Sequence, residues 1–304
     1  MDIAIMIEGQ NGLNWLRWKR IVKLVEDLGF AGLYRSDHFT NADPPDIDSL
    51  ELWVSLTWLA ENTGRIEFGP LVTPFSFRHP VHTARMACAV DDLSNGRLTL
   101  GLGAGWQDRE HKKFGFSLLD VDGRFRRLEE GLEVVTHLLR KDSPLSFSGE
   151  FYELQEAVML PRPARPGGPP ILIGGNGEKR TLPLVARYAD EWNAVFATAD
   201  EVRRLNSVLD KLLEAVGRHP GEIRRSLMTG CVFGEGVDGV EKASQVYGEV
   251  TLDELLAAGF IIGMGPQVGE QLAQLAETNI DRVMLQWLDL DDLDGLEALA
   301  KAVL

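Results

Sequence analysis

Cysteine is nearly absent: 304 residues carry only Cys88 and Cys231. The two lie far apart and Cys88 falls in an apolar helical stretch, so both read as small buried hydrophobes, which argues against a disulfide framework or a redox pair. Histidine is sparse, at six residues. His79 and His82 stand three apart, but no acid or thiol flanks them, which argues against a metal site. Positive charge is in deficit: 31 Lys and Arg against 46 Asp and Glu leave a net charge of −15. Such a charge opposes binding to nucleic acid or to an anionic membrane surface. No apolar run approaches the roughly 18 residues of a membrane-spanning helix. The opening MDIAIMIEGQ has no basic region and carries Asp2 and Glu8, so no secretory signal is read and a cytoplasmic protein is expected. At 44% apolar and 25% charged, the chain is neither disordered nor collagenous nor a coiled coil.

What is present is an alternation. Short runs of β character are each followed by a longer stretch, several of period near 3.6. The pattern predicts strands over 2–8, 32–36, 66–73, 98–102, 171–174, 191–195, 227–233 and 282–287. Helices are predicted over 15–28, stopped by Gly29, over 50–62, from Pro80, from about Gly123, over 178–187 and over 293–303. A small hairpin is read in 145–147 and 151–154. Eight β/α steps in about 250–300 residues are the rhythm of a TIM barrel. The expected fold is therefore α/β: one domain over 1–304, a single (β/α)8 barrel with insertion segments at its C-terminal face. An open, doubly wound sheet is the alternative, because rhythm does not report closure. The insertions are read at 103–122, 143–169 and 234–267, where they would cover a site.

In a barrel the chemistry gathers where strands end. After the fifth predicted strand stand Gly174, Gly175, Asn176 and Gly177, residues that tolerate positive φ, immediately before a helix. Their amides could converge on a phosphate, with Lys179 and Arg180 adding charge; a plain βα turn is the other reading. After the fourth strand, Gly101, Gly103 and Gly105 keep backbone bare, either for a flat ring or for a tight turn. Asp37 and His38 end the second strand, where a histidine could exchange a proton, or where the pair could be a cap and a bystander. Glu8 and Glu110 read singly as surface carboxylates. The helix over 50–62 is apolar nearly all round, so it is covered on both sides, by a partner or by the chain's own insertion. A homodimer through the second and third helices is expected, with Trp53 or Trp58 at its interface.

Together these stretches carry a resemblance. They are residues 28–39, Thr73-Pro74 through Arg78-His79-Pro80, Asn95 through Trp106 with Glu110, Phe147 through Tyr152, Gly174 to Gly177, and 186–193. In order and spacing the chain resembles the bacterial luciferase-like monooxygenase superfamily, and within it the coenzyme F420-dependent oxidoreductases. The resemblance implies a hydride-transferring enzyme with F420 as cofactor and a small organic substrate. It implies Asp37 and His38 against the reactive face, Thr73, Gly103, Ala104 and Gly105 near the ring, and Gly174, Gly175, Asn176 and Gly177 at the phosphate. It implies a cis non-prolyl bond within 70–73. Some relatives place a Glu where Trp106 stands, which speaks against a sugar phosphate as substrate. The alternatives are an FMN-dependent two-component monooxygenase and a flavin-binding protein without turnover.

Overall fold

The computed structural model describes residues 1–234 and 251–304. Its first strand shows how the wall is built. In β1 (Asp2–Ile7) successive side chains take opposite faces. Ile3, Ile5 and Ile7 point outward into the large core beneath the helices, while Ala4 and Met6 join Tyr34, Leu172, Met228 and Met284 inside the barrel. Helix α1 (Trp15–Leu28) starts where the Asn14 side chain accepts from two backbone amides, and stops at Gly29, whose φ is 99°. Its stripe of Trp18, Ile21, Val22 and Val25 is buried.

The remaining elements follow in order: β2 (Gly32–Arg35), α2 (Leu52–Asn62), β3 (Glu67–Pro70), β4 (Thr73–Pro74), α3 (Pro80–Leu93), β5 (Leu100–Gly103), α4 (Asp108–Phe114) and α5 (Val121–Arg140). Then come the antiparallel hairpin β6 (Leu145–Ser148) and β7 (Glu153–Ala157), β8 (Ile171–Gly174), α6 (Thr181–Tyr188), β9 (Glu191–Val195) and α7 (Ala199–Ala215). The chain finishes with β10 (Arg224–Phe233), α8 (Leu252–Ala257), β11 (Ile261–Gly263), α9 (Gly265–Ala276), β12 (Arg282–Gln286) and α10 (Leu293–Val303). The strands pair in parallel in the order β3-β2-β1-β12-β10-β9-β8-β5-β4. β3 and β4 are two halves of one wall strand, separated by Leu71 and Val72, whose peptide bond is cis. The lower half meets the fourth wall strand through the Thr99 amide, which donates to the Phe68 carbonyl at 2.8 Å. The upper half meets it through β4 and β5. The ring is thereby closed, with eight wall positions, as the rhythm predicts.

Three features differ from expectation. The third strand is interrupted rather than continuous. α4, α7, α8 and α9 were not read, nor was the short β11 that prolongs β10. The segment 143–169 leaves the C-terminal end of α5, so its hairpin packs along α5 instead of over the mouth; the amides of Glu150 and Phe151 donate to Glu130 at 2.7 and 2.9 Å. Of the insertion read at 234–267, residues 235–250 lie outside the described residues. The N-terminal end of the barrel is plugged by Arg282, fully buried, which donates to the Tyr34 hydroxyl and, at 2.6 Å, to Glu67. No helix among the described residues is long and apolar enough to cross a membrane.

Candidate active site

Asp37 and His38 stand just beyond the end of β2. Asp37 is buried, and its carboxylate accepts from Thr73 Oγ1 at 2.6 Å and from Arg78. Arg78 Nη2 also donates to Glu51 at 3.0 Å. Burial works against the guanidinium charge, but Asp37 and Glu51 outweigh it and raise the Arg78 pKa. Asp37 thus ties the second wall strand to the third.

His38 is half-buried. Its Nδ1 lies 2.8 Å from Glu110 Oε1, while Glu110 Oε2 accepts the Phe39 amide at 2.9 Å. A carboxylate accepts and does not donate, so Nδ1 carries the proton, and Nε2 has no partner among the described residues. Burial disfavours the imidazolium, but the Glu110 bond and charge, with Glu8 and Asp37 beyond, outweigh it and raise the His38 pKa. The Trp106 indole meets the ring edge-on, with centroids 5.7 Å apart, and is itself 62% exposed. The expectation for Glu110 is corrected: it is 1% exposed, not a surface group. Glu8 is half-buried and accepts from Gln286 at 2.7 Å and Gln10 at 2.9 Å.

The glycines of the fourth wall strand serve the wall first. A Cβ at Gly101 would overlap the Pro70 carbonyl oxygen, and one at Gly103 would fall 2.5 Å from Val72 Cγ2. A Cβ at Gly174 would lie 3.3 Å from Val72 Cγ1. The three glycines together make room for Val72, half-buried at the mouth. Ala104 and Gly105 follow, both half-buried, and Gly105 has φ 78°. Thr73 is buried, its hydroxyl given to Asp37.

The loop after β8 is fastened to β9. Asn176 acts as a piece of strand: its Nδ2 donates to the Val195 carbonyl at 2.7 Å and its Oδ1 accepts the Val195 amide at 2.9 Å. The Gly175 amide donates to the Asn193 carbonyl at 2.9 Å. Gly175 has φ 124°, where a side chain is strained. The amides of 176–180 have no hydrogen-bond partner among the described residues, and α6 begins without a side-chain cap. That is a row of open donors at a helix N-terminus. Arg180 is paired with Asp122, while Lys179 forms no ion pair among the described residues.

One residue escaped the sequence reading. Arg124, on the first turn of α5, donates from Nη1 to the Gly105 carbonyl at 2.8 Å. Its Nε is buried without a partner, and no carboxylate pairs with it among the described residues. β5 and β8 are neighbours in the wall, and Arg180 reaches back to Asp122 and Phe125. Arg124 therefore lies on the helix that the loop after β8 reaches. In sequence it is one arginine in a basic run, and nothing there marks it as uncompensated.

Residues 2–248 match the family model described as luciferase-like monooxygenase. The chain is 31% identical over 195 residues to the F420-dependent glucose-6-phosphate dehydrogenase of Amycolatopsis mediterranei, covering 63% of this chain and 55% of that protein. It is 30% identical over 177 residues to the 4-hydroxyprotoasukamycin monooxygenase of Streptomyces nodosus subsp. asukaensis, covering 58% of this chain and 46% of that one. It thus spans about half the length of these relatives. It superimposes on a solved F420-dependent secondary alcohol dehydrogenase in complex with an F420-acetone adduct with TM-score 0.87 at 16% identity, over 99% of this chain and 98% of that one. An identity that low speaks for the fold alone. The family model, matched over most of the sequence, decides the affiliation: the chain belongs to the luciferase-like monooxygenase family.

Proposed function

We propose that the protein is an oxidoreductase that moves a hydride between coenzyme F420 and a small organic substrate. Members of its family are oxidoreductases or monooxygenases, and relatives of both kinds resemble it. The observation that carries the narrower reading is His38, clipped at Nδ1 by Glu110 and left with Nε2 open beside exposed Trp106. A hydride leaving or reaching a carbon bound to oxygen requires a proton to move at that oxygen. His38 Nε2 is the group that gives or takes it. Asp37, held by Thr73 and Arg78, positions the strand end that bears His38.

The residues at the mouth fit a phosphate-bearing flavin-type cofactor. The open amides of 176–180 and the uncompensated Arg124 would hold the phosphate, with Gly174, Gly175, Asn176 and Gly177 shaping the cradle. Gly103, Ala104, Gly105, Val72 and Thr73 would line the ring side. When bound, the deazaflavin supplies the hydride-accepting or hydride-donating carbon. The protein binds and orients it, shields it from water and moves the proton. Fluorescence titration of the purified protein with F420, FMN and FAD tests the reading. Tight binding of F420 alone is expected; tight binding of FMN with no response to F420 would turn the assignment to an FMN-dependent monooxygenase.

A further inference from the structure

We propose that Gln107 is the positioning residue for the Glu110–His38 pair, the point at which three segments of the mouth are joined. α4 has seven residues, too few to hold its own shape in water, so its placement must come from contacts. Gln107 makes three. Its Oε1 accepts the Glu110 amide at 3.2 Å, and its Nε2 donates to the Thr40 carbonyl at 2.8 Å, two residues beyond His38. Its own carbonyl accepts His111 Nδ1–H at 2.6 Å. Because that acceptor is a carbonyl, the His111 proton sits on Nδ1, and Nε2 accepts from Ser76 Oγ at 2.8 Å. The His111 ring also stacks on Phe77, with centroids 4.9 Å apart. Gln107 and His111 are 2% and 1% exposed. The Gln107 side-chain amide joins the loop after β2 to α4, and its backbone carbonyl, through His111, joins α4 to Ser76 in the loop after β4.

Glu110 hangs from that junction. Its amide rests on Gln107 and its carboxylate spans His38 and Phe39. Removing the Gln107 amide would leave the Thr40 carbonyl and the Glu110 N–H without partners in a buried place, a cost relieved only by movement of α4. Arg109 also ties α4 to the loop, through Thr40, Asn41 and Asp46, but from the outer side and without touching Glu110. The groups that set the His38 charge are Glu110 from α4, Glu8 at the end of β1 and Asp37 on its own strand, the last held by Arg78. Glu110 is the one among them in contact, so a loosened α4 reads out directly in the His38 titration.

The functional weight of this junction rests on the reading of His38 as proton carrier; the titration itself needs no coenzyme. NMR titration of the six histidines of the 304-residue chain, with the His38 signal identified by its loss in His38→Ala, provides the test. Gln107→Met keeps the side-chain length and removes both amide contacts. The His38 midpoint is expected to fall by about one pH unit, toward that of Glu110→Gln. An unmoved midpoint in Gln107→Met, with a fall in Glu110→Gln, overturns the proposal. If Gln107→Met does not fold, Gln107→Ser is read instead, since a serine still caps the Glu110 amide while the bond to the Thr40 carbonyl is lost. A smaller fall in the same direction then supports the proposal and an unmoved midpoint overturns it. Failure of the protein to bind F420 would overturn the functional reading and leave this result standing.

Discussion

His38→Ala is expected to lower kcat by about 10²–10⁴-fold, the usual worth of a positioned acid or base, while the coenzyme dissociation constant stays within a few-fold. Steady-state kinetics and fluorescence titration would show the split; loss of binding with unchanged residual turnover would refute the role. The pH dependence has a definite sign. Glu110 raises the His38 pKa, so the imidazolium persists to higher pH in the folded protein than in the unfolded chain. Its stabilising contribution is complete below the unfolded value and fades as pH rises through the folded one. Glu110→Gln should therefore move the limb of the rate profile assigned to His38 toward lower pH. Arg124→Gln should weaken F420 binding by about tenfold or more, the worth of a hydrogen bond to a charged group. Binding of the deazaflavin chromophore without its phosphate arm should be unaffected; equal weakening of both would make Arg124 a support for Gly105 and no more. Asp37 and His38 were read as candidates because polar residues at a strand end are costly unless used or solvated. Glu110 was not, because its partner stands 72 residues earlier and only closure of the barrel brings them together.

Among the elements, the junction of the third and fourth wall strands is the tightest place. A methyl group at position 101 has nowhere to go, since its neighbour is the Pro70 carbonyl, which cannot swing away as a side chain would. Gly101→Ala is expected to destabilise the fold by roughly 1–3 kcal/mol, as overpacking does. Urea unfolding followed by fluorescence would read this as a lower midpoint at an unchanged slope. The glycine run in 101–105 was visible in sequence, but its reason was not. Whether bare backbone serves a ligand or a neighbouring strand depends on what packs across it, and here that is Val72. Local signals decided how well other elements were placed. α1 was read to the residue because Asn14 and Gly29 mark its ends. β8, β9 and α10 were read with equal accuracy. α4 has seven residues placed by tertiary contacts and β11 has three, so neither carries a period long enough to see.

At the scale of the whole molecule, closure was implied by eight repeats and is carried out by β3, β4 and β5. We expect 1–304 to behave as one cooperative unit, because the large core runs continuously from α1 through α10. The outer face of that core is where a second copy would pack. Apolarity all round α2 pointed to a covered second side. Trp53 is already 4% exposed within its own chain, so it is not available to a partner. Trp58 is half-buried, edge-on to Trp15 at 6.4 Å with Lys19 over its ring. Val54 remains, 57% exposed on α2, with Leu93 40% exposed at the end of neighbouring α3. Val54 lies in the first turn of α2 and Leu93 at the last of α3, so a second copy packed along both helices would cover this outer face. Light scattering at micromolar concentration is expected to give a dimer mass, and Val54→Asp, which would place a charge on that face and touch nothing at the mouth, should return the monomer mass with the thermal midpoint of each chain little changed. A monomer mass for the unmodified protein would show that α2 is covered by its own chain alone.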